Sequence, residues 1–163
     1  LHCLHNEVSG GFSTLVDGFA VAEYLKKNNS QAFESLTTTN LRYQFQDKDI
    51  VLENWGELIE LDKDGDYKQV RYSTRVDYVP PLETEMLKIF YQSRKLLSEL
   101  YCSSEFELKF KLQPGDIMMF DNHRLLHGRT AYDANEGMRH LQGCYLEFDA
   151  TDGKLRHLAR KFK

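Results

Sequence analysis

A chain of 163 residues, 41% hydrophobic and 28% charged, has the composition of one ordinary globular domain and is long enough to bury a core. Its formal net charge of −4, with acidic and basic residues interspersed, argues against nucleic acid as a partner, and no apolar run reaches membrane-spanning length. The cysteines Cys3, Cys102 and Cys144 are far apart with no CxxC pair, which speaks against a zinc ribbon or a redox motif and for reduced thiols.

Leu1-His2-Cys3-Leu4-His5 reads as the middle of a strand, so the chain is expected to be a piece of a longer protein. Ser9-Gly10-Gly11 is a turn, and 12–16 reads as a second strand with Phe12, Thr14 and Val16 on one side and Ser13 and Leu15 on the other. The Gly-Gly join predicts that these two strands form a hairpin. Asp17 is the expected N-cap of a helix over 19–27, whose lysines sit in the last turn where the helix dipole favours them. Ser30 is the expected cap of a short helix over 31–36, with Ala32, Phe33 and Leu36 inward.

Residues 41–46 alternate as a strand, whereas 47–55 fit no period. Strands over 57–61 and 67–74 flank Asp62-Lys63-Asp64-Gly65-Asp66, an Asp-Gly hairpin turn. Its acids resemble a calcium loop but lack the further ligands and terminal Glu, so a plain turn is expected. After Pro80-Pro81, residues 82–101 form the longest helix, with Met86, Leu87, Phe90, Leu97, Leu100 and Tyr101 as a core-facing stripe. A strand over 105–112 follows.

Pro114-Gly115 then launches a short strand over 117–120, which stops at the polar corner Asp121-Asn122-His123. Leu125-Leu126 delivers His127 to a strand end beside Gly128. A loop over 130–137, a strand over 141–148 and a helix over 151–162 with a basic, solvated tail complete the chain. Many short strands and no βαβ alternation predict a single domain, mainly β with helices (α+β), as an antiparallel sandwich or jelly roll.

A strand-end histidine such as His127 suits a metal ligand or general base, although a lone histidine is more often structural. Partners for a metal are weak. His2 and His5 fall on opposite sides of a regular strand, His123 and His127 share a face only in a helix, and neither a His-x-Asp nor a His-x-Glu pair is read from the chain. The residues alone complete no metal site, and neither a Gly-x-Ser-x-Gly elbow nor a phosphate loop is present.

The run from Phe120-Asp121-Asn122-His123 to Leu126-His127-Gly128-Arg129, followed by Arg139-His140-Leu141-Gln142-Gly143-Cys144-Tyr145, resembles the C-terminal part of the γ-butyrobetaine dioxygenase and trimethyllysine dioxygenase family, TauD-like enzymes dependent on Fe(II) and 2-oxoglutarate. Gly10-Gly11, Val16-Asp17-Gly18-Phe19 and Leu25-Lys26-Lys27-Asn28-Asn29 fit the same family, and the likeness is weakest over 37–81. The resemblance implies a double-stranded β-helix (jelly roll), incomplete at its N-terminus, with 1–163 as the C-terminal portion of the catalytic domain. It implies His127 as the distal iron histidine. Arg139 would be the partner of the 2-oxoglutarate distal carboxylate, with Ser13 and Leu1 beside it. Tyr145 would belong to an aromatic cage for a trimethylammonium group. Without that resemblance Arg139 reads as a surface ion-pair residue, Tyr145 as a core aromatic and Ser13 as a turn hydroxyl.

The implied activity is hydroxylation of γ-butyrobetaine to L-carnitine in carnitine biosynthesis, with trimethyllysine as the alternative substrate. Fe(II), 2-oxoglutarate and ascorbate as reductant are the implied cofactors. The implied partners are a small trimethylammonium compound and, as an option, a second copy in a homodimer, with no nucleic acid or membrane. The cytoplasm is the expected compartment and the mitochondrion the alternative. The family's His-x-Asp iron pair lies before the position of Leu1, His123 stands where the family has tryptophan, and Phe12 where related enzymes have aspartate. The chain alone is therefore expected to be inactive, and an inactive fragment that binds a partner is the reading from another class.

Overall fold

The computed structural model describes residues 1–73 and 75–162. The elements run β1 (His2–Asn6), β2 (Ser13–Asp17), α1 (Gly18–Asn28), α2 (Ser30–Thr38), β3 (Leu41–Gln46), β4 (Val51–Gly56) and β5 (Ile59–Leu61). They continue through β6 (Tyr67–Val70), β7 (Asp77–Tyr78), α3 (Thr84–Tyr101), β8 (Glu107–Phe110), β9 (Leu125–Arg129), β10 (Arg139–Gln142) and α4 (Phe148–Lys161). Every strand pairing among the described residues is antiparallel. Among the described residues helices hold more of the chain than strands, so the fold is a balanced mixture of helix and antiparallel sheet and not mainly β. Two compact units emerge: one of Leu1–Gly10, Leu112–Met119 and Tyr132–Lys163, the other of Gly11–Lys111 and Phe120–Ala131.

The larger unit holds the main core, in which Leu25, Leu36, Leu41, Leu58, Ile59, Phe90 and Leu97 are fully buried. Asp17 caps α1 as its position predicts, its Oδ1 accepting from the amides of Phe19 (3.1 Å) and Ala20 (3.3 Å). Helix α2 is capped by Asn29 and not by Ser30: Asn29 Oδ1 accepts from the Ala32 amide at 3.0 Å. A single residue thus closes α1, through its own amide to the Leu25 carbonyl, and opens α2. Helix α3 buries Phe90, Ser93, Leu97 and Tyr101 at helical spacing, and the Ser93 hydroxyl is returned to the Ile89 carbonyl at 2.7 Å. Met86 is 55% exposed because it lies one turn before the packed part of that stripe.

Residues 47–55 prove to be a tight turn, with the Asp47 amide on the Ile50 carbonyl at 2.9 Å, followed by β4 paired along the whole of β3. Every β4 residue except Gly56 is exposed, so no alternation marks this strand in the sequence. The β5–β6 hairpin forms as expected. Its Asp62 carboxylate accepts from the amides of Asp64 (2.8 Å) and Asp66 (3.0 Å), and Gly65 takes φ +86°, so the acids shape a turn. The predicted strand to 74 stops at Val70, and Thr74 lies outside the described residues. The short β7 was not anticipated.

In the smaller unit β1 pairs with β10, while β2 of the larger unit lies between β8 and β9. The hairpin expected of β1 and β2 therefore does not form. The connecting backbone is engaged elsewhere: the Glu7 amide bonds to Met138 O at 3.0 Å, and the Gly11 amide to Ala131 O at 3.0 Å. Gly10 and Gly11 take φ +72° and +61°, a double left-handed step that glycine alone tolerates cheaply.

A bulge at Leu4 interrupts β1, which places Cys3 opposite Leu141 and His5 opposite His140. Cys3 and Asn6, three residues apart, are consequently both buried. Burial pushes the Cys3 thiol pKa up, and all three cysteines are free. The predicted strand over 117–120 reduces to one isolated bridge, Ile117 with His2. The predicted strand over 141–148 ends at Gln142, and α4, none of whose residues is buried, begins by Phe148. No described helix is long and apolar enough to cross a membrane.

Two substitutions test this packing. Leu97→Ala should lower stability by about 2–5 kcal/mol in urea unfolding. Tyr101→Phe deletes a buried hydroxyl that has no hydrogen-bond partner, so it should leave stability unchanged or raise it by about 1 kcal/mol. A loss of more than about 1 kcal/mol from Tyr101→Phe would reveal a bond that the structure does not contain.

Candidate functional site

In the larger unit the candidate residues are arranged around β2. Ser13 faces Phe110 on β8 and Arg129 on β9, and Leu15 faces Leu108 and His127. Directly opposed residues of antiparallel strands share a face. Ser13, Leu15, His127 and Arg129 therefore lie on one face, and Thr14, Val16, Leu126 and Gly128 on the other. Val16 is buried in the core and Leu126 packs against it, which turns the Ser13–His127 face away from that core.

His127 is the middle residue of β9 and not its end, since the ladder continues to the Ser13–Arg129 pair. Gly128 lets the strands approach: a Cβ there would stand 3.0 Å from Thr14 Oγ1. The exposed His127 ring lies 4.9 Å from the Phe120 ring. Partial desolvation moves its pKa below the ordinary histidine value, which favours the neutral imidazole that ligates a metal or accepts a proton. Ser13 is buried on this same face.

The turn feeding β9 is tied down by side chains. Asp121 Oδ1 accepts from the His123 amide at 2.8 Å, and the Asp121 carbonyl accepts from Arg124 and Leu125. Arg124 grips the Asp17 carboxylate through Nε (3.1 Å to each oxygen) and Nη2 (2.6 Å), with its guanidinium 5.6 Å from the Phe19 ring. The Gly18 amide bonds to the Arg124 carbonyl at 3.0 Å, and a Cβ on Gly18 would collide with Val70 Cγ2 at 2.3 Å. The hydrogen bond from Arg124 holds the Asp17 carboxyl below its ordinary value.

The smaller unit carries Arg139 as the first residue of β10, opposite Asn6. Its guanidinium stacks 4.9 Å from the Tyr132 ring, and its Nε is buried with no hydrogen-bond partner. A permanent cation with a buried, unmatched N–H is a strong demand for an anion, and its planar fork suits a carboxylate. Leu1 lies against the end of the same strand, with Cδ2 only 2.8 Å from where a Gly143 Cβ would stand. Tyr145 falls in the irregular segment between β10 and α4 and is 84% exposed, because the ladder with β1 ends at the His2–Gln142 pair.

Among the described residues no group of three or more His, Cys, Asp or Glu could hold a metal ion. His127 supplies one imidazole, so these residues do not by themselves fit an iron ion. Reading the sequence missed the Asp17–Arg124 clamp, which joins residues 107 positions apart, and the Tyr132 plate under Arg139. It also passed over His5-Asn6-Glu7, a His-x-Glu pair whose spacing on a strand was a visible signal.

Asp17→Ala should cost about 1–2 kcal/mol, because it removes a helix cap and one half of an ion pair. Since the folded Asp17 pKa is depressed, its contribution is present above the unfolded value near 4 and is lost as pH falls through the folded value. Urea midpoints of wild type and Asp17→Ala should thus converge between pH 7 and pH 3. A gap that stays constant would remove the carboxylate from the account.

Residues 1–145 match the family model described as Taurine catabolism dioxygenase TauD, TfdA family. The chain is 38% identical over 168 residues to γ-butyrobetaine dioxygenase of Homo sapiens, covering 99% of this chain and 43% of that protein. It is 31% identical over 160 residues to γ-butyrobetaine dioxygenase of Pseudomonas sp. (strain AK-1), covering 98% and 42%. It is 29% identical over 161 residues to the mitochondrial trimethyllysine dioxygenase of Bos taurus, covering 91% and 36%. The chain spans less than half the length of these curated relatives. With the matched region holding His127, Arg139 and Tyr145, the chain belongs to the TauD/TfdA family of dioxygenases.

Proposed function

We propose that the full-length protein containing this chain is an Fe(II)- and 2-oxoglutarate-dependent hydroxylase that converts γ-butyrobetaine to L-carnitine. In this reading residues 1–163 are the C-terminal portion of its catalytic domain, on a double-stranded β-helix. The observation that carries the reading is Arg139, whose buried, unpartnered Nε and Tyr132-backed guanidinium suit the distal carboxylate of 2-oxoglutarate. Ser13 adds a hydroxyl and Leu1 an apolar contact to that co-substrate. His127, kept neutral by partial desolvation, is one iron ligand. Tyr145 offers its ring face to the trimethylammonium cation.

Iron with 2-oxoglutarate supplies the oxidising power for hydroxylation in this family, and ascorbate is the reductant that keeps the iron ferrous. No step is assigned to the metal from these residues, because one imidazole makes a poor site. The remaining ligands are expected as a His-x-Asp pair encoded shortly upstream of Leu1. A stop codon or unrelated sequence there would favour an inactive fragment. γ-Butyrobetaine is preferred over trimethyllysine because identity to the human γ-butyrobetaine enzyme is 38%, against 29% to the bovine trimethyllysine enzyme.

Succinate release by the full-length protein should be stimulated by γ-butyrobetaine well above trimethyllysine, and equal stimulation by both, or by neither, would defeat the substrate assignment. Arg139→Ala should raise the 2-oxoglutarate KM by about two orders of magnitude, as loss of a charge-assisted bidentate bond of about 3 kcal/mol implies. An unchanged KM would take Arg139 out of the site.

A further inference from the structure

We propose that His5 and His140 form a two-histidine site for a divalent transition ion, with zinc as the representative, on the exposed face of the β1–β10 ladder. The two residues are direct cross-strand partners, and both are exposed. Opposed residues of an antiparallel pair have Cβ atoms about 4.5–5.5 Å apart. Two imidazoles on such a base can lean together and place one nitrogen each at about 2.0–2.1 Å from a shared zinc ion.

The bulge makes this pairing. In a regular strand His2 and His5 would point to opposite faces. The extra residue at Leu4 moves His5 into register with His140 while His2 stays opposite Gln142, and Gln142 and His140, two residues apart on β10, share a face. The buried face takes Cys3 and Asn6 instead. Glu7 lies two residues beyond His5, but its Oε2 accepts the Met138 amide at 3.1 Å, so the carboxylate is already engaged. The ion is therefore held by two imidazoles, with water completing its shell. Imidazole ligation selects zinc, nickel or copper over magnesium and calcium, which prefer oxygen.

The site does not use His127 and does not rest on the proposed hydroxylase activity. It has one consequence for it: the next pair of the same ladder is Asn6 with Arg139, so a bound ion would staple together the two strands that hold the guanidinium.

The test is thermal unfolding of the full chain with excess Zn2+ or Mg2+. Zn2+ should raise the midpoint by about 5 °C and Mg2+ should not. His5→Ala and His140→Ala should each abolish the Zn2+ shift, whereas Glu7→Gln and His127→Ala should keep it. No shift in the wild type, a shift that survives in either His5→Ala or His140→Ala, or loss of the shift in His127→Ala would each overturn the site. Should an alanine variant prove too unstable to compare, Cu2+-induced broadening of histidine NMR signals in the wild type decides the matter. Selective loss of the His5 and His140 signals supports the site, and uniform or absent broadening refutes it.

Discussion

The Asp17 carboxylate ties together the parts of the larger unit that carry its candidate residues, Ser13 and His127. It ends β2, caps α1 through two backbone amides, and clamps Arg124 at the turn that opens β9. Each contact alone is modest, about 1 kcal/mol for a cap and less for a half-exposed ion pair. Their joint effect is geometric. The strand bearing Ser13, the strand bearing His127 and the first core helix all leave from one carboxylate. Gly18 completes the junction, since no side chain fits between Val70 and the Arg124 carbonyl.

From that junction the β8–β2–β9 sheet divides its two faces by task. Val16 and Leu126 seal the helical core, while Ser13, Leu15 and His127 look the other way. Alternation along three short strands thus separates the core residues from the candidate ones. The smaller unit uses the same rule. Asn6 and Arg139 share the buried side of β1–β10, and His5 and His140 share the exposed side. A buried guanidinium nitrogen without a partner is costly, and here it rests against the Tyr132 ring.

Local signals in the sequence were readable where the physics is local. The Asp17 cap, the two sides of 12–16, the Asp-Gly turn and the long helix α3 all follow from residues within a few positions of each other. Reading failed where partners are distant or exposure is atypical. The strand mates of β1 and β2 lie more than 90 residues away, so the Gly-Gly step suggested a hairpin that does not form. Strand β4 is wet on both faces and shows no period. One bulged residue put His2 and His5 on the same face instead of on opposite ones. Of the candidate residues, His127 and Arg139 were singled out through their spacing and family likeness. The groups that position them, Asp17 with Arg124 and Tyr132, became visible only in three dimensions.

In the proposed function Arg139 receives the distal carboxylate of 2-oxoglutarate. A crystal structure of the full-length protein with 2-oxoglutarate tests it most directly. This carboxylate should lie within about 2.7–2.9 Å of the Arg139 guanidinium, with Tyr132 still beneath it. A 2-oxoglutarate bound with its carboxylate away from Arg139, or an Arg139 still unpartnered in the complex, would contradict it.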